Sequence, residues 1–474
     1  MRAALNDPLL LGNTIAGDSW LPWRTLLIAS MGEELLPDER AVFHKFTGRE
    51  REPGQRVEEF VAVKGRRGGG SRAVSVLAAY IAGLCRHSAL VHGERGVLLI
   101  IAADQRQADV VLDYTEAVFR GSPILQQLVE ARTARELRLT NHIDVEVRAA
   151  DYRRLRGLTF VGIIADEVAF WANENSSNPD DEILNAVRPG LATTSGPLFM
   201  ISSPYARRGE LWRIYQKHFG STGDPLVLVA QGGSRDFNPT LPQSVIDRAM
   251  ERGAAAASAE YGGNFRTDIE QLVTREAVEA CVSARVFERA PQPGVSYNAF
   301  VDPSGGSADS MALCIGHYSY QKQRVVIDCL RKRLPPLSAQ DVADEFARLL
   351  TSYGIHSIRG DRYGGIWPVE QFARFNIIYE QSAAPKSNLY QDLLALINSR
   401  RVELLDHQKL ITQLCNLERR TTRGGRDSID HAPGSHDDIA NAVAGLCAIN
   451  NEFGGYDFSM RWIDGVGIDM NICR

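Results

Sequence analysis

Val61-Ala-Val-Lys-Gly-Arg-Arg-Gly-Gly-Gly-Ser-Arg72 is a β-type run, then a glycine-rich turn, then the start of a helical pattern. In that setting successive backbone N–H groups can surround phosphate oxygens. A P-loop reads G-x-x-x-x-G-K-[ST]. Aligned on Gly65 and Ser71, Gly69 takes the second glycine and Gly70 stands where the lysine belongs. Lys64, Arg66, Arg67 and Arg72 are all basic, and residues 61–75 contain no acid, so charge for a triphosphate is present but displaced. The candidate nucleotide set is therefore Lys64, Gly65, Arg66, Arg67, Gly68, Gly69, Gly70, Ser71 and Arg72. Taken alone, the same stretch also reads as a flexible, solvated turn.

Two elements downstream move the reading toward nucleotide hydrolysis. Thr159–Ala165 is an apolar strand ending in Asp166-Glu167, the order that places one carboxylate on Mg²⁺ and the next beside an attacking water. Leu198-Phe-Met-Ile-Ser-Ser-Pro204 is a strand ending in hydroxyls, where Ser202 or Ser203 could sense a γ-phosphate. Each alone is an ordinary polar strand end. Together, in this order, they predict a nucleoside triphosphatase. Upstream, Asp18-Ser-Trp-Leu-Pro-Trp-Arg24 could hold adenine or simply pack, and Arg49 follows a turn. Arg153, Arg154 and Arg156 are candidates for a transition-state arginine or for surface charge.

Working outward, residues 55–230 alternate β-type runs (Phe60–Val63, Gly96–Ala102, Leu158–Ala165, Leu198–Ser202) with helical patterns such as Ser75–Arg86 and Arg106–Phe119. That alternation predicts a parallel sheet covered by helices. Residues 231–290 are polar and Ala-rich and read as a connector. From Tyr297 come strands Ala299–Val301, Ala312–His317 and Val325–Cys329, helix Ser338–Tyr353, strand His356–Arg359 and a helix near Ile439–Ile449, a second α/β domain with a mixed sheet. The expected division is 1–230, 231–290, 291–450 and a tail, 451–474. With 474 residues, 44% apolar and 23% charged, the chain is ordinary folded protein rather than a disordered or fibrous one.

The net charge of −5 gives no global attraction for nucleic acid, so any such binding must come from local basic patches. Seven cysteines without a C-x-x-C pair fit reduced thiols better than disulfides or a zinc site. Neither a secretory signal nor a run near the ~20 apolar residues of a bilayer span is found, which predicts a cytoplasmic protein with no membrane partner.

The second domain carries its own chemistry. Asp302 ends the apolar strand Asn298–Val301, and a tight turn brings Asp309 near it. Asp361 follows strand Ile355–Arg359, and His436-Asp437-Asp438 opens the last helix. Strand ends and a helix start on one sheet edge can converge, and converging carboxylates repel unless a cation neutralises them. Oxygen ligands favour Mg²⁺ or Mn²⁺, and two such ions about 3.5–4 Å apart can activate water against a phosphodiester. The bland alternatives are turn chemistry for single aspartates and helix capping for Asp437-Asp438. Arg419, Arg420, Arg423 and Arg426 precede the last acids as a phosphate-tracking surface would.

Across nearly the whole chain, the ordered set Gly65–Ser71, Ile163–Glu167, Ile201–Pro204, Asn238-Pro239, Glu260-Tyr261, Val301-Asp302, Gly360-Asp361 and His436–Asp438 resembles the large terminase subunit of tailed bacteriophages and prophages. The resemblance implies an N-terminal P-loop packaging ATPase and a C-terminal RNase H-like nuclease. It implies ATP, Mg²⁺ (with Mn²⁺ possible at the nuclease), double-stranded DNA, a portal protein, a small terminase subunit, assembly as a homo-oligomeric ring and work in the bacterial host's cytoplasm. By position, Asp166 would hold Mg²⁺, Glu167 would orient the hydrolytic water, and Ser202 or Ser203 would couple hydrolysis to movement. Asp302, Asp361 and Asp437 would be nuclease ligands, with Asp438 or Asp309 assisting. The departure is Gly70. Either Lys64 or a nearby arginine substitutes for the missing lysine, or ATP is hydrolysed poorly and the chain is a metal-dependent nuclease or integrase-like enzyme that only binds nucleotide.

Overall fold

The structure is a computed structural model. It describes residues 1–150, 157–171, 176, 179–303, 310–335, 338–361, 367–421 and 427–454, the last three by backbone only. Arg153, Arg154, Arg156, Asp309, Arg423 and Arg426 lie outside the described residues, as does the expected tail from residue 455 onward. The chain divides into two compact units, Met1–Glu270 and Gln271–Arg474.

The first unit is built on an eight-stranded sheet. Its strands are β1 (Glu59–Lys64), β2 (Gly96–Ala102), β3 (Val129–Arg132), β4 (Glu136–Leu139), β5 (Ile143–Ala149), β6 (Phe160–Asp166), β7 (Leu198–Ser202) and β8 (Val227–Gly232), in the order β3-β4-β5-β2-β6-β7-β1-β8. From β5 to β8 every pairing is parallel; the β3–β4 and β4–β5 pairings are antiparallel, so β4 alone runs against the rest of the sheet. The central strands are apolar throughout because both faces are covered. Alternation divides their side chains: Phe60, Ala62, Leu98, Ile100 and Phe199 join one core, and Val61, Val63, Leu99, Ile101 and Met200 the other. In this order β1 and β6 flank β7, so the glycine-rich turn after β1, the acids after β6 and the serines after β7 open at one sheet edge.

Residues 231–290, expected to be a connector, divide between the units at Glu270. In the first, Phe237 is fully buried and stacks on Trp23 with ring centroids 4.7 Å apart, so this polar, Ala-rich stretch is fastened by a few large residues. A short strand, β9 (Ile269–Gln271), lies at the passage from one unit to the next.

The second unit holds a seven-stranded mixed sheet of β10 (Val282–Ser283), β11 (Asn298–Asp302), β12 (Met311–Ser319), β13 (Arg324–Arg333), β14 (Ser357–Gly360), β15 (Ile378–Gln381) and β16 (Val402–Leu405), in the order β10-β16-β13-β12-β11-β14-β15. β11, β12 and β13 are successive antiparallel neighbours, whereas β14 and β15 continue from β11 in parallel. A hairpin of β17 (Leu417–Thr421) and β18 (Asp427–His431) stands beside the sheet. Helix Asp438–Gly454 lies across β11 and β12. Gly445 permits the approach, since a Cβ there would stand 2.3 Å from the Phe300 ring. Among the described residues no helix is long and apolar enough to cross a membrane.

Candidate functional sites

At the end of β1, residues Gly65 to Gly69 form the turn and Gly70 opens helix Gly70–Leu84, whose N-terminal amides face a cleft of about 880 Å³. Lys64 through Arg72, except Gly65, line this cleft together with Trp20, Glu167, Asn238 and Tyr261. The lysine absent from position 70 is supplied from the strand end. Lys64 is 4% exposed, and its side chain crosses the space a residue-70 side chain would take: a Cβ on Gly70 would stand 2.4 Å from Lys64 Cε. Its Nζ reaches Glu167 Oε1 at 3.1 Å. Arg66 is engaged with Glu260 at 3.3 Å, and Arg72 donates to the Thr14 carbonyl and lies over the Trp20 ring. Lys64 is thus the basic group of the loop that points at the acids.

Asp166 and Glu167 divide their tasks by environment. Asp166 is 2% exposed, accepts from Ser71 Oγ at 3.2 Å through Oδ2, and leaves Oδ1 buried without a partner. Burial, then the adjacent Glu167 carboxylate, push its carboxyl up to about 6 against the pull of Lys64 and Ser71. A buried carboxylate oxygen with no donor, next to a helix-start hydroxyl, fits a Mg²⁺ ligand pair. Glu167 has a positive φ of 52°, a strained turn that carries its side chain back over the strand end. There its Oε2 accepts from the Ser203 N–H at 3.0 Å and the Ser202 hydroxyl at 3.4 Å. The serines therefore hold the glutamate rather than reaching into the cleft themselves.

The upstream residues act from behind the loop. Trp23 Nε1 donates to the Gly68 carbonyl at 2.6 Å, whereas Trp20 is the aromatic that lines the cleft. Arg24 and Arg49 are spent on structure: Arg24 donates to the Leu5 carbonyl and Asn6, and Arg49 to four carbonyl oxygens between His218 and Val227. From the stretch expected to be a connector, Ser234 Oγ donates to the Arg66 carbonyl at 2.5 Å and Asn238 Nδ2 to that of Arg67 at 3.0 Å. Their sequence signal was only the pair Asn238-Pro239.

In the second unit, Val301 pairs with Gly360, so Asp302 and Asp361 leave β11 and β14 side by side. Helix Asp438–Gly454 brings Asp437 and Asp438 to them. Its first amides, those of Ile439 and Ala440, are capped by Gln413 Oε1 at 2.9 and 3.0 Å, which relieves Asp437 and Asp438 of capping. The carboxyls of Asp302 and Asp361 are raised from the ordinary range, chiefly by desolvation; for Asp302 the charges of Asp361, Asp438 and Asp437 add to it.

The two adjacent aspartates differ in their neighbours. Asp438 Oδ2 takes Ser310 Oγ at 2.7 Å and Lys332 Nζ at 3.0 Å, so its charge is already answered. Asp437 Oδ2 takes the buried Tyr390 hydroxyl at 2.7 Å and Lys386 Nζ at 2.7 Å. Asn441, one turn along the helix and 1% exposed, donates to Asp361 Oδ2 at 2.6 Å and leaves its own Oδ1 unpartnered. Mutually repelling, desolvated carboxylates with an orphaned amide oxygen beside them fit a divalent cation bound through oxygen. Lys386, Tyr390 and Asn441 had no motif to announce them, and Lys332 stood only in the basic run Arg331-Lys332-Arg333, which by sequence reads as a solvated loop. Of the basic residues before the last acids, Arg419 pairs with Asp427 and Arg420 with Glu418 at 3.3 Å.

Strand, glycine-rich turn and helix on a parallel sheet make the first unit a P-loop nucleotide fold, and three antiparallel strands continued by two parallel ones make the second an RNase H-like fold. No protein-family model and no curated protein matches the chain. Among solved structures the chain is similar to the bacteriophage HK97 large terminase, at 14% identity and a TM-score of 0.38 over 89% of this chain and 98% of that one. It is also similar to the large terminase of a thermophilic bacteriophage in complex with ADP, at 9% identity and a TM-score of 0.37, over 82% and 93% of the two chains. A third is the large terminase nuclease of the thermophilic phage G20c with bound magnesium, at 18% identity and a TM-score of 0.32, covering 36% of this chain and 94% of that one.

Proposed function

We propose that this chain is a DNA-packaging motor: ATP hydrolysis in the first unit drives double-stranded DNA into a procapsid, and a metal-dependent nuclease in the second cuts concatemeric DNA at initiation and termination. The observation that carries the reading is Lys64 crossing Gly70 to meet Glu167 inside a backbone phosphate cradle, on the same chain as the Asp302, Asp361 and Asp437 cluster. Before nucleotide binds, the Lys64 ammonium and Glu167 hold one another. A γ-phosphate is the stronger anion and draws Lys64 to itself, which releases Glu167 Oε1 to accept a proton from the attacking water while Ser202 and Ser203 keep Oε2 in place. Asp166 and Ser71 would hold the Mg²⁺, which neutralises charge on the transferring phosphoryl group. In the nuclease, Asp302, Asp361 and Asp437 would hold Mg²⁺ or Mn²⁺, with Asn441 setting the Asp361 carboxylate. Double-stranded DNA, a portal protein and a small terminase subunit are the partners, and a ring of identical chains is the working assembly.

The test compares ATP hydrolysis by the wild type with Lys64→Ala and Glu167→Gln, and Mn²⁺-dependent plasmid cutting by the wild type with Asp302→Asn. Each ATPase variant is expected to lose about 100- to 1,000-fold, the usual cost of removing one electrostatic or proton-accepting group from such a centre. Asp302→Asn is expected to abolish cutting and leave ATP hydrolysis intact. Wild-type hydrolysis no faster than Glu167→Gln would remove the motor and leave a nucleotide-binding nuclease.

A further inference from the structure

Lys386 opens helix Lys386–Asn398, and its ammonium lies 2.7 Å from Asp437 Oδ2 and 3.7 Å from Asp430 Oδ1. It stands in a setting that has the chemistry of a cation site. Asp430, His431 and Asp437 each bring one ligand atom within 4.8 Å of one another, and the three come from the end of β18 and the residue just before the last helix. His431 Nδ1 faces the Ala432 carbonyl at 3.0 Å, so a neutral ring carries its proton there and leaves the lone pair on Nε2, which lies 3.9 Å from Asp430 Oδ1. The Tyr390 hydroxyl takes the same Asp437 oxygen as the ammonium. That leaves Asp437 Oδ1 for whatever Asp302 and Asp361 bind.

The charges around these groups are unevenly answered. Lys332 answers Asp438, and Lys386 answers Asp437 and stands beside Asp430. Among the described residues, Asp302 and Asp361 have only the neutral Asn441 amide as a side-chain hydrogen-bond donor; the Lys386 charge reaches Asp361 and Asp302 without a hydrogen bond, and burial still holds both carboxyls above their ordinary range. One divalent ion shared by Asp302, Asp361 and Asp437 Oδ1 would satisfy that side. A second ion on Asp430, His431 and Asp437 would have to displace the ammonium.

We propose that the nuclease centre of this chain holds one divalent cation and that the Lys386 ammonium, paired with Asp437 and beside Asp430 of the Asp430, His431 and Asp437 group, takes the place of a second. Lys386 is a positioning residue: it fixes Asp437 through Oδ2 and places a positive charge beside the metal-binding carboxylates without itself being exchangeable. The inference rests on the nuclease reading and deepens it. It predicts that neutralising this lysine creates a metal site rather than destroying one, which a purely structural lysine would not do.

The experiment titrates Mn²⁺ into the full-length chain carrying Asp166→Asn, so that the first unit contributes no site, with calorimetry for stoichiometry and electron paramagnetic resonance for ion proximity. With Lys386 intact one Mn²⁺ is expected, with the spectrum of an isolated ion. Lys386→Met is expected to bind two, spin-coupled through their closeness; His431→Ala on top of it returns the count to one, and Lys386→Arg stays at one. Lys386→Gln repeats the measurement should the Met variant fail to fold. Two ions with Lys386 intact, two in Lys386→Arg, or one in a folded Lys386→Met or Lys386→Gln overturns the inference while the nuclease reading stands. No Mn²⁺ bound with Lys386 intact overturns both.

Discussion

Lys64 and Gly70 form a complementary pair: the side chain from one position occupies the volume left by the absence of a side chain at the other. The pair makes a prediction that either residue alone does not. In Gly70→Ala the new methyl collides with the flexible end of Lys64 rather than with backbone, so the fold survives and the lysine is displaced. ATP hydrolysis should fall by about 100-fold or more, close to Lys64→Ala, with thermal stability nearly unchanged. The double variant Lys64→Ala/Gly70→Lys empties the crossing volume and puts a lysine at the usual P-loop position, so it should recover activity over both single changes. A double variant as inactive as Lys64→Ala would show that this loop cannot take its lysine from position 70. Lys64 was legible in the sequence only as one of four basic candidates. Distance along the chain does not say which basic side chain points inward, and that is settled by burial and by the empty side of Gly70.

At the scale of elements, the phosphate loop is a turn gripped from outside. Trp23 holds the Gly68 carbonyl, Ser234 that of Arg66 and Asn238 that of Arg67. Removing the buried indole N–H while keeping an aromatic should leave the Gly68 carbonyl unpaired, at a cost of about 1–3 kcal/mol. Trp23→Phe is therefore expected to raise the KM for ATP more than it lowers kcat, measured by steady-state hydrolysis, because the cradle is loosened while Lys64 and Glu167 keep their places. A change confined to kcat would argue against a positioning role for this contact. The elements that carry chemistry were legible because they are uniformly apolar runs bounded by polar residues: Gly96–Ala102 and Leu198–Ser202 match the expected strands end for end. β3, β4 and β5 were missed. Val129–Arg132 and Glu136–Leu139 are short and carry charged side chains on exposed faces, and Ile143–Ala149 mixes Asp, Glu and Arg into its apolar pattern. β15 and β16 have four residues each, too few for a period to show. The grip on the phosphate loop was invisible for another reason: it is made by single hydrogen bonds between segments up to 171 residues apart.

At the scale of the molecule, the second unit gathers Asp302, Asp361 and Asp437 from a strand end, a later strand end and the residue before a helix, and their convergence costs stability when no cation is bound. Asp302 and Asp361 have folded-state carboxyls raised above their ordinary values, so in the folded chain they keep their protons to higher pH than in the unfolded one. Where the unfolded state has released protons that the folded state retains, stability falls as pH rises. Metal-free protein is thus expected to lose stability in the second unit from about pH 4, the ordinary carboxylate value, up through the raised folded values. Asp302→Asn removes the most strongly shifted of the pair. It should raise the metal-free melting temperature of that unit at pH 7.5 and flatten its decline between pH 5 and 7.5, and each kcal/mol relieved is worth about 2–4 °C for a domain of 150–250 residues. Mn²⁺ should give the opposite ranking, because an ion that binds only the folded state stabilises the wild type, while the variant has lost a ligand. Scanning calorimetry with and without Mn²⁺ at the two pH values checks both halves. A wild type more stable than Asp302→Asn in chelator at pH 7.5 would mean that the aspartates do not repel as their placement requires, and the common metal centre would fall with that result.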